Sequence, residues 1–160
     1  MTAVEGYWAI GEHGSLNSTI AICPCGNPTY FQLHSNQIPR TRFGRSVSHI
    51  DGPKVEAIYE EARTCTAYVA YTAAVMLCRK LLMNMAVHHG ANSNGTFAYY
   101  VDYLDSNHFV PPNGKAWVDP IRAKGNEATH EIDLMDETDA KRILNFSQSL
   151  LIFVYEMKAI

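Results

Sequence analysis

The segment 121–132 holds the residue types best suited to acid–base chemistry on a phosphodiester. It contains Arg122, the pair Gly125–Asn126 and His130. A Gly-Asn pair accepts positive φ and turns the chain sharply, so we expect the three polar side chains to lie close to one turn. An arginine can hold a phosphate through two hydrogen bonds, and a histidine with a pKa of about 6.5 can take or give a proton. These are the parts needed for RNA cleavage by attack of the 2′-hydroxyl.

The same residues also allow a structural interpretation. Arg122 could bond the carbonyls at a helix end, Asn126 could be present for its turn conformation, and His130 could cap a helix or bond the backbone from the core. Ligand binding without chemistry is a third interpretation. Residue types alone do not decide among the three, since clustered polar groups also arise for structural reasons.

A second candidate is the loop around Phe43, which Arg40, Arg42 and Arg45 surround in the sequence. Arginines interleaved with an aromatic ring can hold a sugar–phosphate chain and stack a base. We therefore expect a nucleic-acid contact in this loop, with Lys124 as a further cationic contact. The alternative is that the three charges simply form a solvated face.

Arg79 is the third position of interest. It falls in register with an apolar helical stripe, where an unpaired charge is costly. One interpretation is an internal ion pair with a carboxylate such as Glu60 or Glu131. The other makes Arg79 the wall of a polar cleft that faces His130.

Helical spacing dominates the chain after Pro53. Ten residues follow one another at intervals of three and four, which predicts one long amphipathic helix that ends near Gly90. They are Val55, Ile58, Ala62, Cys65, Val69, Thr72, Met76, Arg79, Met83 and Ala86.

Shorter elements precede and follow the long helix. Helices are predicted over 97–107, over 115–124 and onward from a capping signal at Asp136. Before the long helix, the β-favouring runs 19–23 and 29–33 flank a turn rich in Gly, Pro and Asn, which predicts a small hairpin.

Length and composition favour one core. The chain has 160 residues, of which 47% are hydrophobic, so we expect an appendage over residues 1–50 and one all-α bundle of about four to five helices over 51–160. With a net charge of −3, attraction to nucleic acid must come from a local patch. No apolar run approaches the ~20 residues that cross a bilayer, and four cysteines are too few for a disulfide framework, so we expect a cytoplasmic protein without membrane contact.

Residues 55–155 resemble the domain of unknown function 4145 family. That family is similar to the wider HEPN group of helical bundles, in which an arginine and a histidine on neighbouring helices form a metal-independent ribonuclease site, often across a homodimer. The resemblance lies in Tyr59-Glu60-Glu61-Ala62, in residues 73–82, and in Arg122, the Gly-Asn turn, His130 and the helix 143–155.

The resemblance implies roles for the candidate residues. Arg122 would hold the phosphate, His130 would act as general acid or base, and Asn126 would orient the reacting groups in a homodimer that binds RNA and can cleave it. Two positions depart from the pattern, because seven residues lie between Arg122 and His130 and Met83 replaces a common glutamate. The resemblance also implies a setting in bacterial or phage defence. The alternative is a non-catalytic module that contacts a defence-system protein.

The sequence Cys23-Pro24-Cys25-Gly26 resembles the zinc knuckle at the head of many relatives of that family. A knuckle has two residues between its cysteines and a second pair of ligands, whereas only one residue separates Cys23 from Cys25 and no second cysteine pair exists. We therefore expect a metal-free remnant and no cofactor.

Overall fold

The computed structural model describes residues 5–10, 16–22, 26–32, 37–111 and 134–159. The chain divides into two compact units, residues 1–41 and 42–160. The described part of the first unit is an antiparallel sheet with the strand order β1-β2-β3, in which β1 spans Glu5–Ile10, β2 spans Leu16–Ile22 and β3 spans Pro28–Gln32.

The predicted hairpin is confirmed by β2 and β3. Thr19 pairs with Phe31 and Ala21 pairs with Thr29 in the antiparallel register. The sequence pattern does not predict β1, whose Gly6 weakens the strand signal, although this strand pairs with β2 along its length. Three strands give the sheet more backbone pairing than a lone hairpin has.

The second unit is a helical bundle. Its described α-helices are α1 at Pro53–Ala67, α2 at Tyr71–His88, α3 at Phe97–Ser106 and α4 at Glu137–Leu151. A π turn at Ile152–Glu156 and a 3₁₀ turn at Met157–Ala159 extend α4. Helix α2 packs against the other three. The largest fully buried side chains of the core are Tyr59, Tyr100, Leu81, Leu82, Met85, Leu104, Ile143, Leu144, Leu151, Val55 and Val75.

The predictions for α3 and α4 are confirmed. The side chain of Thr96 caps α3, and the Asp136 carboxylate caps α4 by accepting a 2.8 Å hydrogen bond from the Asp139 amide. The helix predicted over 115–124 lies outside the described residues. None of the described helices combines the length and apolar character needed to span a bilayer.

The prediction of one long helix from Pro53 to about Gly90 is wrong. The chain breaks after Ala67, where Val69 takes a left-handed φ of 64°. The Ala70 amide donates to the Cys65 carbonyl at 2.9 Å and the Val69 amide donates to the Thr66 carbonyl at 3.3 Å, which is the hydrogen-bond pattern of a Schellman helix end. The predicted stop near Gly90 is confirmed, because Gly90 (φ 103°) occupies the same position after α2.

The break also moves the apolar stripe on α2. The predicted stripe continued through Met76, Arg79 and Met83, yet Met76 is 45% exposed and the other two are half-buried. A left-handed residue changes the direction of the chain, so the helical phase cannot be carried across it. The buried face of α2 is instead Ala74, Val75, Cys78, Leu81, Leu82, Met85 and Ala86.

Candidate nucleic-acid interface

The residues predicted for acid–base chemistry lie outside the described part of the chain, and their roles stay predictions. They are Arg122, Asn126 and His130, and the predicted nucleic-acid contact Lys124 and the cysteines Cys23 and Cys25 also lie outside the described residues. Within the described residues, no group of three or more His, Cys, Asp or Glu side chains could hold a metal ion. Of the predicted arginines, Arg40 belongs to the first unit and the others to the helical unit.

Arg45 forms its hydrogen bonds with other residues of the helical unit. Its guanidinium donates two hydrogen bonds to the Glu156 carboxylate, at 2.7 and 2.6 Å, and Glu156 also accepts from the Ser48 amide at 2.8 Å. The Arg45 amide donates to the Gln148 side chain at 2.8 Å. These bonds, first from Arg45 and then from Ser48, lower the pKa of Glu156 to about 2. Arg45 therefore ties the loop before α1 to the π turn after α4.

Arg63, which the sequence analysis does not single out, is the buried arginine among the described residues of this unit. It is 8% exposed and donates to the Glu60 carboxylate at 2.8 and 2.7 Å. It also donates to the carbonyls of Phe43 and Gly44, at 3.1 and 3.0 Å. Glu60 lies 3.5 Å from Arg42 as well. The helical register could have identified Arg63 from the sequence, since it lies four residues after the fully buried Tyr59 and therefore on the same face of α1.

The backbone of Phe43 is held in place by hydrogen bonds, which positions its ring. Besides the bond from Arg63 to its carbonyl, Phe43 donates its amide to the Thr66 hydroxyl at 3.3 Å. The half-buried ring forms one wall of an open groove of about 620 Å³. The other lining residues lie on α4, and they are Glu137, Thr138, Lys141, Arg142 and Asn145.

Two cations lie on the α4 side of this groove. The Lys141 ammonium is 5.8 Å from the Phe43 ring centroid and 2.7 Å from the Glu137 carboxylate. Arg142 is exposed and forms no hydrogen bond or ion pair with the described residues, and the same is true of the Asn145 side-chain amide. An exposed ion pair such as Lys141–Glu137 is weak and easily exchanged, so both cations can meet an anion.

The groove around Phe43 combines the parts that bind a single-stranded nucleic acid. An aromatic face can stack a base, cations can pair with the phosphates, and an amide can bond a base edge. The sequence pattern selects Phe43 as a candidate but does not select Lys141 and Arg142, because these two residues are distant from Phe43 along the chain. The local feature that marks Lys141 and Arg142 is that they are two exposed cations between the buried residues Ala140 and Ile143.

Arg79 lies on α2, half-buried, with its guanidinium 4.4 Å from the centroid of the Phe97 ring on α3. Burial lowers the pKa of its guanidinium below the usual value. Of its two predicted carboxylate partners, Glu60 is bonded to Arg63, and Glu131 lies outside the described residues. Packing on an aromatic ring is one way to keep a charge at a partly buried position.

A cluster of titratable side chains surrounds the C-terminal end of α2. His88 Nε2 lies 2.8 Å from the Asp51 carboxylate. The His89 ring stacks on Phe109 at 4.1 Å between centroids, and its Nε2 lies 3.2 Å from the Tyr155 hydroxyl. The two histidines therefore bond to different parts of the chain, as expected for adjacent residues that point about 100° apart on a helix.

The surroundings of His89 favour its neutral form. Burial is the largest cause, and His88 and Lys158 add to it, so the pKa of His89 lies below 6.5 although Asp51 acts in the opposite direction. Burial likewise raises the pKa of Tyr155. At neutral pH the His89 ring is therefore neutral and the Tyr155 hydroxyl keeps its proton. This suits a structural hydrogen bond better than proton transfer.

Comparison with known proteins places most of this unit in one family. A search of curated proteins and a search of solved structures each find no match. The sequence profile described as "Domain of unknown function (DUF4145)" matches residues 60–159, which include α2, α3, α4 and the predicted residues Arg122 to His130. The chain therefore belongs to the DUF4145 family.

Proposed function

We propose that the domain binds single-stranded RNA in the groove around Phe43. The observation that carries this proposal is that the Phe43 ring faces Lys141 and Arg142 across one open groove. Stacking of a base on an aromatic ring contributes about 1–3 kcal/mol, and each phosphate held by a cation adds a salt-dependent contribution. Because the backbone of Phe43 is bonded to Thr66 and Arg63 before any ligand arrives, little ordering is required on binding.

We further propose that Arg122, Asn126 and His130 cleave the bound strand without a metal ion. In this chemistry the 2′-hydroxyl attacks the adjacent phosphorus, the bond from phosphorus to the 5′-oxygen breaks, and the products are a 2′,3′-cyclic phosphate and a 5′-hydroxyl. His130 takes the proton from the nucleophile or gives one to the leaving oxygen, water serves for the other transfer, and Arg122 neutralises the phosphate. The support is the residue set and the family membership over 60–159.

The binding proposal is tested with a fluorescently labelled single-stranded RNA titrated with the wild type, with Phe43→Leu and with Arg142→Gln. Leucine keeps the apolar contact with the bundle but cannot stack, so we expect affinity to fall by about tenfold or more. For Arg142→Gln we expect weaker binding at low salt and a smaller slope of affinity against salt, by about one phosphate contact. Lys54→Gln, on the exposed first turn of α1, is the matched control and should change neither quantity.

The cleavage proposal is tested separately, in the presence of a chelator, with a mixed pool of single-stranded RNA. The wild type should produce cyclic-phosphate ends, and Arg122→Ala and His130→Ala should abolish cleavage while their circular dichroism persists and His130→Ala keeps its RNA affinity. A DNA pool of the same sequences should be bound but not cut, because it lacks the nucleophile. RNA binding without cleavage by the wild type would refute the catalytic proposal alone.

The setting we propose is bacterial or phage defence in the cytoplasm, and it rests on the family resemblance. The second candidate function is a non-catalytic module that contacts a defence-system protein. The apolar outer side of α2, where Met76 is 45% exposed, favours a protein contact on this unit. If the wild type binds no RNA and Phe43→Leu has no effect, the interaction module becomes the better description.

A further inference from the structure

The loop between α2 and α3 contains the dipeptide Asn94–Gly95. Asparagine is a chemically labile residue. A following glycine makes it more so, because no Cβ atom hinders attack by the glycine backbone nitrogen on the asparagine side chain. Asn94 is exposed, and its side-chain amide forms no hydrogen bond or ion pair with a described residue. The amide carbon of Asn94 is therefore open to attack.

The ring of Tyr99 makes glycine necessary after Asn94. A Cβ atom at Gly95 would overlap the Cδ1 atom of this ring and would lie 2.7 Å from its Cε1 atom. The ring cannot easily swing aside, because the Tyr99 hydroxyl accepts a 3.1 Å hydrogen bond from the Asn92 amide. The contact between this loop and α3 therefore requires a dipeptide that is prone to rearrange.

The attacking nitrogen is itself held by a hydrogen bond. The Gly95 amide donates to the Tyr100 hydroxyl at 3.1 Å, and Tyr100 is 1% exposed, so the core of the bundle fixes the acceptor. The nitrogen attacks only after it loses its proton, and this hydrogen bond shields that proton from solvent. The reaction therefore proceeds through local opening of the loop, and its rate depends on the fraction of molecules that are open.

We propose that Asn94 is a site of spontaneous deamidation and that the Tyr100 hydroxyl controls its rate. In the open loop, hydroxide removes the Gly95 amide proton and the nitrogen bonds to Cγ of Asn94. The bond from Cγ to Nδ2 breaks, the side-chain nitrogen takes a proton from water and leaves as ammonia, and a cyclic imide remains. Water then opens the imide. Addition at Cγ gives aspartate, and addition at the backbone carbonyl carbon gives isoaspartate, in which the main chain runs through Cγ.

Both products change the chain just before α3. Each adds a carboxylate close to Thr96, the residue that caps the N-terminus of this helix, where a negative charge is favourable. Isoaspartate also lengthens the backbone ahead of Gly95, which strains the bond from the Gly95 amide to Tyr100. The modification therefore loosens the loop but leaves the cap. It is independent of the RNA proposal, since neither residue of the dipeptide lines the groove around Phe43.

The test follows Asn94 in purified protein kept in mildly alkaline buffer, by chymotryptic digestion and tandem mass spectrometry at intervals. Chymotrypsin cuts after aromatic residues and so separates Asn94 from the second Asn-Gly pair, at 113–114. Tyr100→Phe should raise the rate at Asn94 by about three- to tenfold, the factor by which loss of one hydrogen bond shifts an opening equilibrium. Tyr59→Phe removes another buried hydroxyl, which bonds to the Arg45 carbonyl, and should leave the rate as it is. Asn94→Gln should remove the modification from this loop.

A second measurement needs the wild type alone. Hydrogen exchange of the Gly95 amide depends on the same opening, so the ratio of the Asn94 rates in urea and in native buffer should be of the same order as the protection factor of that amide. The proposal is overturned by a folded wild type that stays unmodified for longer than this protection factor allows. A Tyr100→Phe variant that is folded by circular dichroism and reacts no faster than Tyr59→Phe would overturn it as well.

Discussion

The Tyr155 hydroxyl lies 3.2 Å from Nε2 of His89, so the π turn after α4 is bonded to the residue that follows α2. The π turn at Ile152–Glu156 produces this contact. It presents Tyr155 to His89 and the next residue, Glu156, to Arg45. Inserted π turns redirect side chains at the end of a helix, and here two successive residues bond to two different parts of the unit.

The first prediction concerns the pH dependence of stability that His89 brings. The pKa of His89 in the folded protein lies below its ordinary value of 6.5, mainly because the ring is partly buried. The unfolded chain therefore binds this proton more readily, and the free energy of unfolding should fall as the pH drops below 6.5 towards the lower folded pKa. Above pH 6.5 the stabilisation is fully present. Chemical denaturation at pH 7.5, 6.5 and 5.5 measures it.

The control for this prediction is His89→Gln, which keeps a polar group near Tyr155 but does not titrate. The other six of the seven histidines are the same in both proteins, so the difference in slope isolates His89. We expect the variant to lose less stability than the wild type between pH 6.5 and 5.5. Equal slopes would show that His89 is as easily protonated in the folded state as in the unfolded state.

The second prediction concerns the pair formed by Arg45 and Glu156. Because Glu156 accepts the Ser48 amide at 2.8 Å, Glu156→Ala should speed amide hydrogen exchange at Ser48, whereas the amides in the middle of α2 should keep their protection. The wild type should show the same change on acidification, since the pKa of Glu156 is about 2. The stabilisation that the ionised Glu156 side chain provides is present above its ordinary pKa of 4.5 and is lost as the pH falls from 4.5 to about 2. Unchanged exchange at Ser48 in the variant would contradict the bond.

The third prediction concerns the cap of α4, the helix that carries Lys141 and Arg142 of the groove around Phe43. Asp136→Ala removes the acceptor of the Asp139 amide and should lower the free energy of unfolding by about 1 kcal/mol. Asp136→Asn keeps an acceptor oxygen and should cost less than half as much. Urea denaturation of the three proteins measures both changes. A loss of equal size in both variants would assign the effect to the charge at the helix N-terminus instead of the hydrogen bond.

Sequence reasoning works for the elements whose ends carry typical residues. Asp136 before α4 and Gly90 after α2 are residue types that cap helices for known steric and hydrogen-bonding reasons, and both ends are where the pattern predicts them. The break between α1 and α2 has no such signal. Val69 occupies the left-handed position there, and a β-branched residue is among the least expected at positive φ.

The candidate site is predictable only in part, for a different reason. An aromatic residue among arginines predicts a nucleic-acid contact, and this pattern selects Phe43 as a candidate. Which charges face the ring depends on tertiary packing, which brings Lys141 and Arg142 of α4 beside it and uses Arg45 to bond Glu156. No local pattern reports such pairings between distant parts of a chain.

The fourth prediction follows from the left-handed conformation of Val69. An L-residue with a branched Cβ pays about 1–2 kcal/mol at such a φ, which glycine avoids. Glycine also makes the unfolded chain more flexible, which offsets about 0.5–1 kcal/mol of the gain. Since the Val69 side chain is 37% exposed and little packing is lost, Val69→Gly should raise the free energy of unfolding by about 0.5–1 kcal/mol.

Val69→Ala is the matched control for this substitution. Alanine removes the β-branch but keeps a Cβ atom in the left-handed region, so most of the strain remains and the stability should change by less than about 0.5 kcal/mol. Urea denaturation of the two variants and the wild type measures the difference. If glycine destabilises the protein more than alanine does, the left-handed backbone is not the source of strain, and the exposed valine must contribute packing that outweighs it.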